Sequence, residues 1–133
     1  MEEYDDLAAG PNNGSLNLSH NTWKTLPPEL SDFSSRLLHL HMSNNQLTSI
    51  PESIGALILL RTLDVSFNRI ENVDSAIGKC IRLRSFNFAN NCVENLPADI
   101  GNCILMVSAS RRRPIRASSP FFVRHEITQS PII

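Results

Sequence analysis

Aromatic residues are scarce in this chain: one Trp, one Tyr and six Phe make up 6% of its 133 positions. Base stacking needs aligned aromatic rings beside positive charge. The formal net charge is −1, so no overall attraction to nucleic acid compensates for the missing rings. Long apolar runs are also absent. The stretch Ala56-Leu57-Ile58-Leu59-Leu60 stops at Arg61, too short to span a bilayer. The acidic start, Met1-Glu2-Glu3-Tyr4-Asp5-Asp6, lacks the basic residues and apolar run of a secretory signal. Cysteine is limited to Cys80, Cys92 and Cys103. Their odd number and wide spacing exclude a simple disulfide framework and suit reduced thiols in the cytoplasm, with the nucleus as the alternative. There is no phosphate-binding loop, nucleophile elbow or H-E-x-x-H. The expectation is a protein that is not an enzyme and needs no cofactor.

What is present is a repeat. Asn21, Asn45, Asn68 and Asn91 recur at spacings of 24, 23 and 23. Aligned on them, the chain divides into units 13–36, 37–59, 60–82 and 83–105. Leu37, Leu40, Met42, Asn45 and Leu47 fill the pattern L-x-x-L-x-L-x-x-N-x-L in the second unit. Leu60, Leu63, Val65, Asn68 and Ile70 fill it in the third, and Leu83, Phe86, Phe88, Asn91 and Val93 in the fourth. The first unit has Leu16, Leu18, Asn21 and Trp23, but Asn13 stands where a leucine belongs, which marks a frayed or capping unit. Further along each unit, Leu26-Pro27, Ile50-Pro51 and Leu96-Pro97 are equivalent, with Val73-Asp74 as the exception. Ile54-Gly55, Ile77-Gly78 and Ile100-Gly101 follow at equal offsets.

In Leu-x-Leu both apolar side chains face one side of a strand. A unit this short cannot bury that side alone, so units stack into a continuous core with a parallel sheet. Proline fixes φ and removes a donor, which suits the return on the convex side. The asparagine amide carries donors and an acceptor, so Asn21, Asn45, Asn68 and Asn91 are expected to form an internal ladder. The fold class is therefore α/β: a right-handed solenoid of about four turns, with a short parallel concave sheet and loops or short helices outside.

The pattern resembles the leucine-rich-repeat family in its 23-residue form with L-P-x-x-I-G in the return, over about residues 13–105. It is most similar to intracellular Ras-group and Ras-suppressor-like scaffolds. That resemblance implies an adaptor or scaffold in signalling, with a small-GTPase pathway component as one partner it suggests.

Residues between the core positions point to the concave face. Stacked about 4.8 Å apart, they form rows such as Asn17, His41, Asp64, Asn87 and His20, Asn44, Phe67, Asn90, with His39 alongside. These rows are the expected contact surface for a protein partner; the alternative is a merely solvated sheet face. Four strands span roughly 15 Å. The patch they make falls short of the roughly 800 Å² per partner of a standard interface, so either binding is weak or the loops, the Arg-rich tail or a second copy adds area. His39 and His41, with Asp64 as a third group, make a poor metal site; surface histidines paired with a carboxylate are the simpler reading, and no metal is expected. Cys80 and Cys103 occupy an apolar repeat position and read as buried, inert thiols, with Cys92 peripheral.

The expected domain is 13–105, preceded by an acidic, disordered segment 1–12 and followed by a basic non-repeat tail 106–133. The charge is split accordingly: seven Lys+Arg against twelve Asp+Glu before residue 106, and five Arg against one Glu after it. If Met106 opened a fifth unit, the repeat register would ask for core residues at Ala109 and Arg111. In the tail, Arg111–Arg113 and Arg116 precede Ser118 and Ser119, two candidate phosphorylation sites. Two accounts of the array's end compete: Phe121-Phe122-Val123 folds back as a cap, or the chain is a shortened form of a longer repeat protein.

Overall fold

The repeat sets the architecture one strand at a time. In this computed structural model residues 7–103 are described in full. Beyond them only the backbone of Met106–Ala109, Arg116–Ala117 and Ile127–Gln129 is described. Each unit contributes a three-residue strand at its Leu-x-Leu segment: β1 (Ser15–Asn17), β2 (His39–His41), β4 (Thr62–Asp64) and β6 (Ser85–Asn87). Two-residue strands β3 (Ser49–Ile50), β5 (Asn72–Val73), β7 (Asn95–Leu96) and β9 (Arg116–Ala117) alternate with them along the chain. They pair separately, β3 with β5 and β7 with β9. The main sheet has the order β1-β2-β4-β6-β8-β10, with β8 at Met106–Ala109 and β10 at Ile127–Gln129. Every neighbouring pair in it is parallel.

The register puts Leu16, Leu40, Leu63 and Phe86 in one row across the sheet, none more than 3% exposed. The second apolar row, Leu18, Met42, Val65 and Phe88, is equally buried, and Phe86 and Phe88 pack at 5.0 Å between ring centroids. Burying each such side chain contributes roughly 1.5–3 kcal/mol. The two rows belong to one core that runs from Leu7 to Cys103.

The returning segments are 3₁₀ turns: η1 (Pro28–Phe33), η2 (Glu52–Ala56), η3 (Ser75–Lys79) and η4 (Ala98–Asn102). Pro27, Pro51 and Pro97 precede η1, η2 and η4 in extended conformation. Asp74 replaces proline before η3 and adopts the same backbone, φ −67° and ψ 147°. Its Oδ1 accepts the Ala76 N–H at 2.9 Å, so a side-chain cap does there what a fixed ring does elsewhere. Gly78 is required by proximity. A Cβ on Gly78 would lie 2.7 Å from the Asp99 Cβ and 2.8 Å from the Asp99 carbonyl oxygen in the next turn.

Two expectations about the ends need correction. Residues 7–12, expected in the disordered acidic segment, lie against the first turn. Residues 7–9 are helical, Leu7 is 5% exposed within the core, and Asn12 exchanges backbone hydrogen bonds with Ser15 at 2.8 and 3.0 Å. The apolar side chain of Leu7 covers the open end of the array, where a stacked unit would otherwise be missing. At the other end the sheet runs past residue 105. β8 pairs with β6 as Ser85↔Met106, Phe86↔Val107 and Asn87↔Ser108. The step from Phe86 is two positions shorter than the step that led to it, so Val107, not Ala109, follows in that row. The cause is visible at the end of η4. Leu57 and Cys80 end η2 and η3 at ψ 64° and 65°, and each opens a turn closed by a bond from Leu60 or Leu83. Cys103 leaves η4 extended, at ψ 149°.

Candidate functional site

The asparagine row lies at the exit of the strands and joins successive turns. Asn68 Nδ2 donates to the carbonyls of Met42 and Val65, both at 2.9 Å, and of Ser66 at 3.2 Å, while its Oδ1 accepts from Leu47 N at 3.0 Å. Asn45 repeats this with Leu18, Met42, Ser43 and the Trp23 N–H. Asn91 repeats it with Val65, Phe88, Ala89 and the Ile70 N–H. Asn21, in the first turn, donates to Leu18 and Ser19 within its own unit. Each amide thus satisfies backbone groups that the irregular chain beyond the strand leaves without strand partners.

The row Asn17, His41, Asp64, Asn87 closes the strands. Asn17, Asp64 and Asn87 each accept, through Oδ1, the N–H two residues on, at 3.0 Å. Asp64 also accepts the Ser66 hydroxyl at 2.7 Å. These Asx turns follow β1, β4 and β6 at their third residue. His41 differs: in its turn Ser43 N donates to Ser19 Oγ in the neighbouring unit at 3.1 Å, and no hydrogen bond holds the imidazole among the described residues. His39 is held, its Nδ1 2.9 Å from Thr62 Oγ1. The Asp64 carboxylate serves Ser66 and is not ion-paired with His41. Among the described residues no three of His, Cys, Asp and Glu gather as metal ligands.

The row His20, Asn44, Phe67, Asn90 is not on the strands, as the repeat register suggested. The strands have already ended, and these residues lie in the turn beyond, all with positive φ between 55° and 60°. Their N–H groups still bond across, to Ser43, Ser66 and Ala89 for the first three. Asparagine tolerates this left-handed conformation through its short polar side chain. Phe67 does not share that tolerance. It holds φ 55° with 54% of its surface exposed, between two asparagines in the neighbouring turns. A bulky residue at that conformation costs about 1–2 kcal/mol.

Cys80 and Cys103 form a second inter-turn ladder: each Sγ–H donates at 3.3 Å to the carbonyl of the turn before, Ile54 and Ile77. Burial pushes the Cys80 thiol from the ordinary 9.0 up to about 12, with the nearby Cys103 adding to it. Burial likewise pushes Cys103 up to about 11. Cys92 is exposed. Ser118, Ser119 and Phe121–Val123 lie outside the described residues.

A parallel sheet of short strands, a regularly spaced repeat and an asparagine ladder buried at Asn45 and Asn68 together define a leucine-rich-repeat solenoid. The leucine rich repeat family profile matches residues 14–70. A leucine-rich-repeat protein of Leptospira interrogans, known by its structure, superposes with a TM-score of 0.67 at 31% identity, over 71% of this chain and 24% of that one. A probable serine/threonine-protein kinase of Dictyostelium discoideum, pats1, is 48% identical over 50 residues, or 38% of this chain. Residues 14–70 carry the leucine-rich-repeat family's pattern, and the chain has the fold of a leucine-rich-repeat solenoid. It spans about a quarter of the solved relative and 2% of the kinase. The kinase match is confined to repeat sequence, and its activity stays with that protein.

Proposed function

We propose that this chain is a protein-docking module, an intracellular adaptor or scaffold whose partner sits on the concave face at the strand exits, around His41 and Phe67. The carrying observation is Phe67. Phe67 holds a half-exposed aromatic ring at φ 55°, where the neighbouring turns use Asn44 and Asn90. Strain held at an exposed position points to use by a partner, and aromatic side chains anchor protein interfaces. His39, His41, Asp64 and Asn87 supply the polar rim, with Asn17, His20, Asn44 and Asn90 toward its edges. A signalling role and a small-GTPase pathway partner rest on resemblance to Ras-group scaffolds. A cytoplasmic setting rests on the three free cysteines, two of them buried. Among the described residues no helix is long and apolar enough to cross a membrane.

The test is affinity capture from lysate with quantitative mass spectrometry, comparing wild type with His41→Ala/Phe67→Asn. Neither substitution touches an Asx turn, so the fold should survive, as a melting curve would verify. Proteins lost only from the variant would support docking at this face. Equal recovery by both chains would sink it.

A second reading, a shortened form of a longer repeat protein with regulatory or no independent activity, draws on the change in spacing after Cys103. It expects broad, non-cooperative melting with aggregation, where an adaptor melts as a cooperative monomer.

A further inference from the structure

A second surface lies on the opposite edge of the sheet, where the chain enters each strand. Three large apolar residues are exposed among the described residues; Phe67 is one, and the others are Ile58 at 53% and Ile81 at 56%. These two isoleucines stand one repeat apart, at the same place in the turns that lead into β4 and β6. Three positions on, Arg61 and Arg84 are likewise equivalent, and both are exposed. The N–H groups of Arg84 and Ser85 donate to the Arg61 carbonyl at 2.8 and 3.1 Å, so the two arginines are adjacent across the sheet. Like charges placed directly opposite destabilise a sheet. Arg82 and Arg36, both exposed, belong to the same entry turns. Arg36 lies over the Phe33 ring at 5.1 Å. Among the described residues Arg61, Arg82 and Arg84 have no side-chain ion pair. Segments 34–38, 57–61 and 80–84 hold no Asp or Glu.

The acidic residues of the returning side lie elsewhere, in or beside η1 to η4: Glu29, Asp32, Glu52, Asp74 and Asp99. Among the described residues the entry edge is therefore basic and apolar at once, with its arginines unpaired by acid and its isoleucines exposed. Folding explains neither feature. From this we infer that the entry edge docks an acidic segment of a partner protein, one with an apolar side chain among its carboxylates. The arginines meet the carboxylates, and Ile58 and Ile81 take the apolar group. This surface is separate from the strand exits and does not depend on what docks there.

The experiment is fluorescence anisotropy on the full chain with a labelled synthetic peptide of Glu and Asp containing two Leu. A control peptide replaces Leu with Ser. Saturable binding is expected, weaker for the Ser peptide and weaker as salt shortens the screening length from about 10 Å at 0.1 M to about 3 Å at 1 M. Arg61→Glu/Arg84→Glu should lose about tenfold or more in affinity, and Ile58→Ser/Ile81→Ser should lose the preference for Leu over Ser. If charge reversal unfolds the chain, Arg61→Gln/Arg84→Gln takes its place. His41→Ala/Phe67→Asn should bind the peptide as wild type does. Three results overturn the inference: no saturable binding, unchanged affinity in the edge variants, or loss only when Arg111–Arg113 of the tail become Gln. Self-association of the chain in sedimentation, abolished by Arg61→Glu/Arg84→Glu, would assign the edge to a second copy and also overturn it.

Discussion

At the scale of single residues, the turns beyond the strands separate what holds the solenoid together from what it can present. Asn68 is 8% exposed and bonds to groups in successive turns. Asn68→Ala should cost roughly 1–3 kcal/mol by leaving buried backbone groups unpaired; a melting temperature equal to wild type would remove the ladder's structural role. Phe67→Asn should do the reverse and stabilise by about 1 kcal/mol, because asparagine accepts the left-handed backbone that phenylalanine strains to hold. A urea titration in which this variant is no more stable than wild type would mean that Phe67 has packing that offsets its strain. The thiols give a third expectation. With Cys80 at about 12 and Cys103 at about 11, only Cys92 should react with a thiol reagent at pH 8 in the native chain, and all three after denaturation. Both folded values lie above the ordinary 9.0, so the folded state holds its protons longer. The associated stability is present below about pH 9 and lost as pH rises through 11 to 12. The repeat makes the burial of these thiols legible. It does not show the φ of position 67, because a consensus position states which residue is usual and not what backbone an unusual one must accept.

At the scale of the element, the short returns decide how closely units stack. Asp74 stands in a proline position, and its carboxylate caps η3 through Ala76, so a break in the consensus leaves the turn intact. Gly78 faces the next turn so closely that Gly78→Ala would drive a methyl group into the Asp99 backbone. The expected cost is about 1–3 kcal/mol from overpacking, read as a lower denaturant midpoint. A midpoint unchanged from wild type would show that η3 and η4 can part freely. The glycine is plain in I-G pairs along the sequence, but its reason is a distance between units that no single unit contains. The strands show the same limit. Alternation predicts the apolar rows correctly. It overextends the strands to His20, Asn44, Phe67 and Asn90; Asn17, Asp64 and Asn87 turn the chain before three of these, and β2 ends at His41 with Ser43 N bonded to Ser19 Oγ instead.

At the scale of the whole molecule, one sheet gathers the units and distributes charge around them. Its exit edge carries the asparagines, His41 and Phe67, and its entry edge carries bare arginines and isoleucines. The acids lie mostly along the return. Deleting residues 104–133 removes β8 and opens β6 as an edge whose backbone groups would seek another chain. The truncated chain should melt lower and associate, as light scattering after size exclusion would reveal; a stable monomer would show that β8 is dispensable. The sequence by itself determined the repeat, the solenoid class, the apolar rows and the buried thiols, because each follows from a period and a residue type. Only the tertiary structure decided where the strands stop, that Leu7 belongs to the core, that Val107 follows Phe86 after a shortened step, and that Arg61 and Arg84 stand side by side. Those outcomes depend on which backbone groups of neighbouring turns meet, and a period along the chain does not specify that.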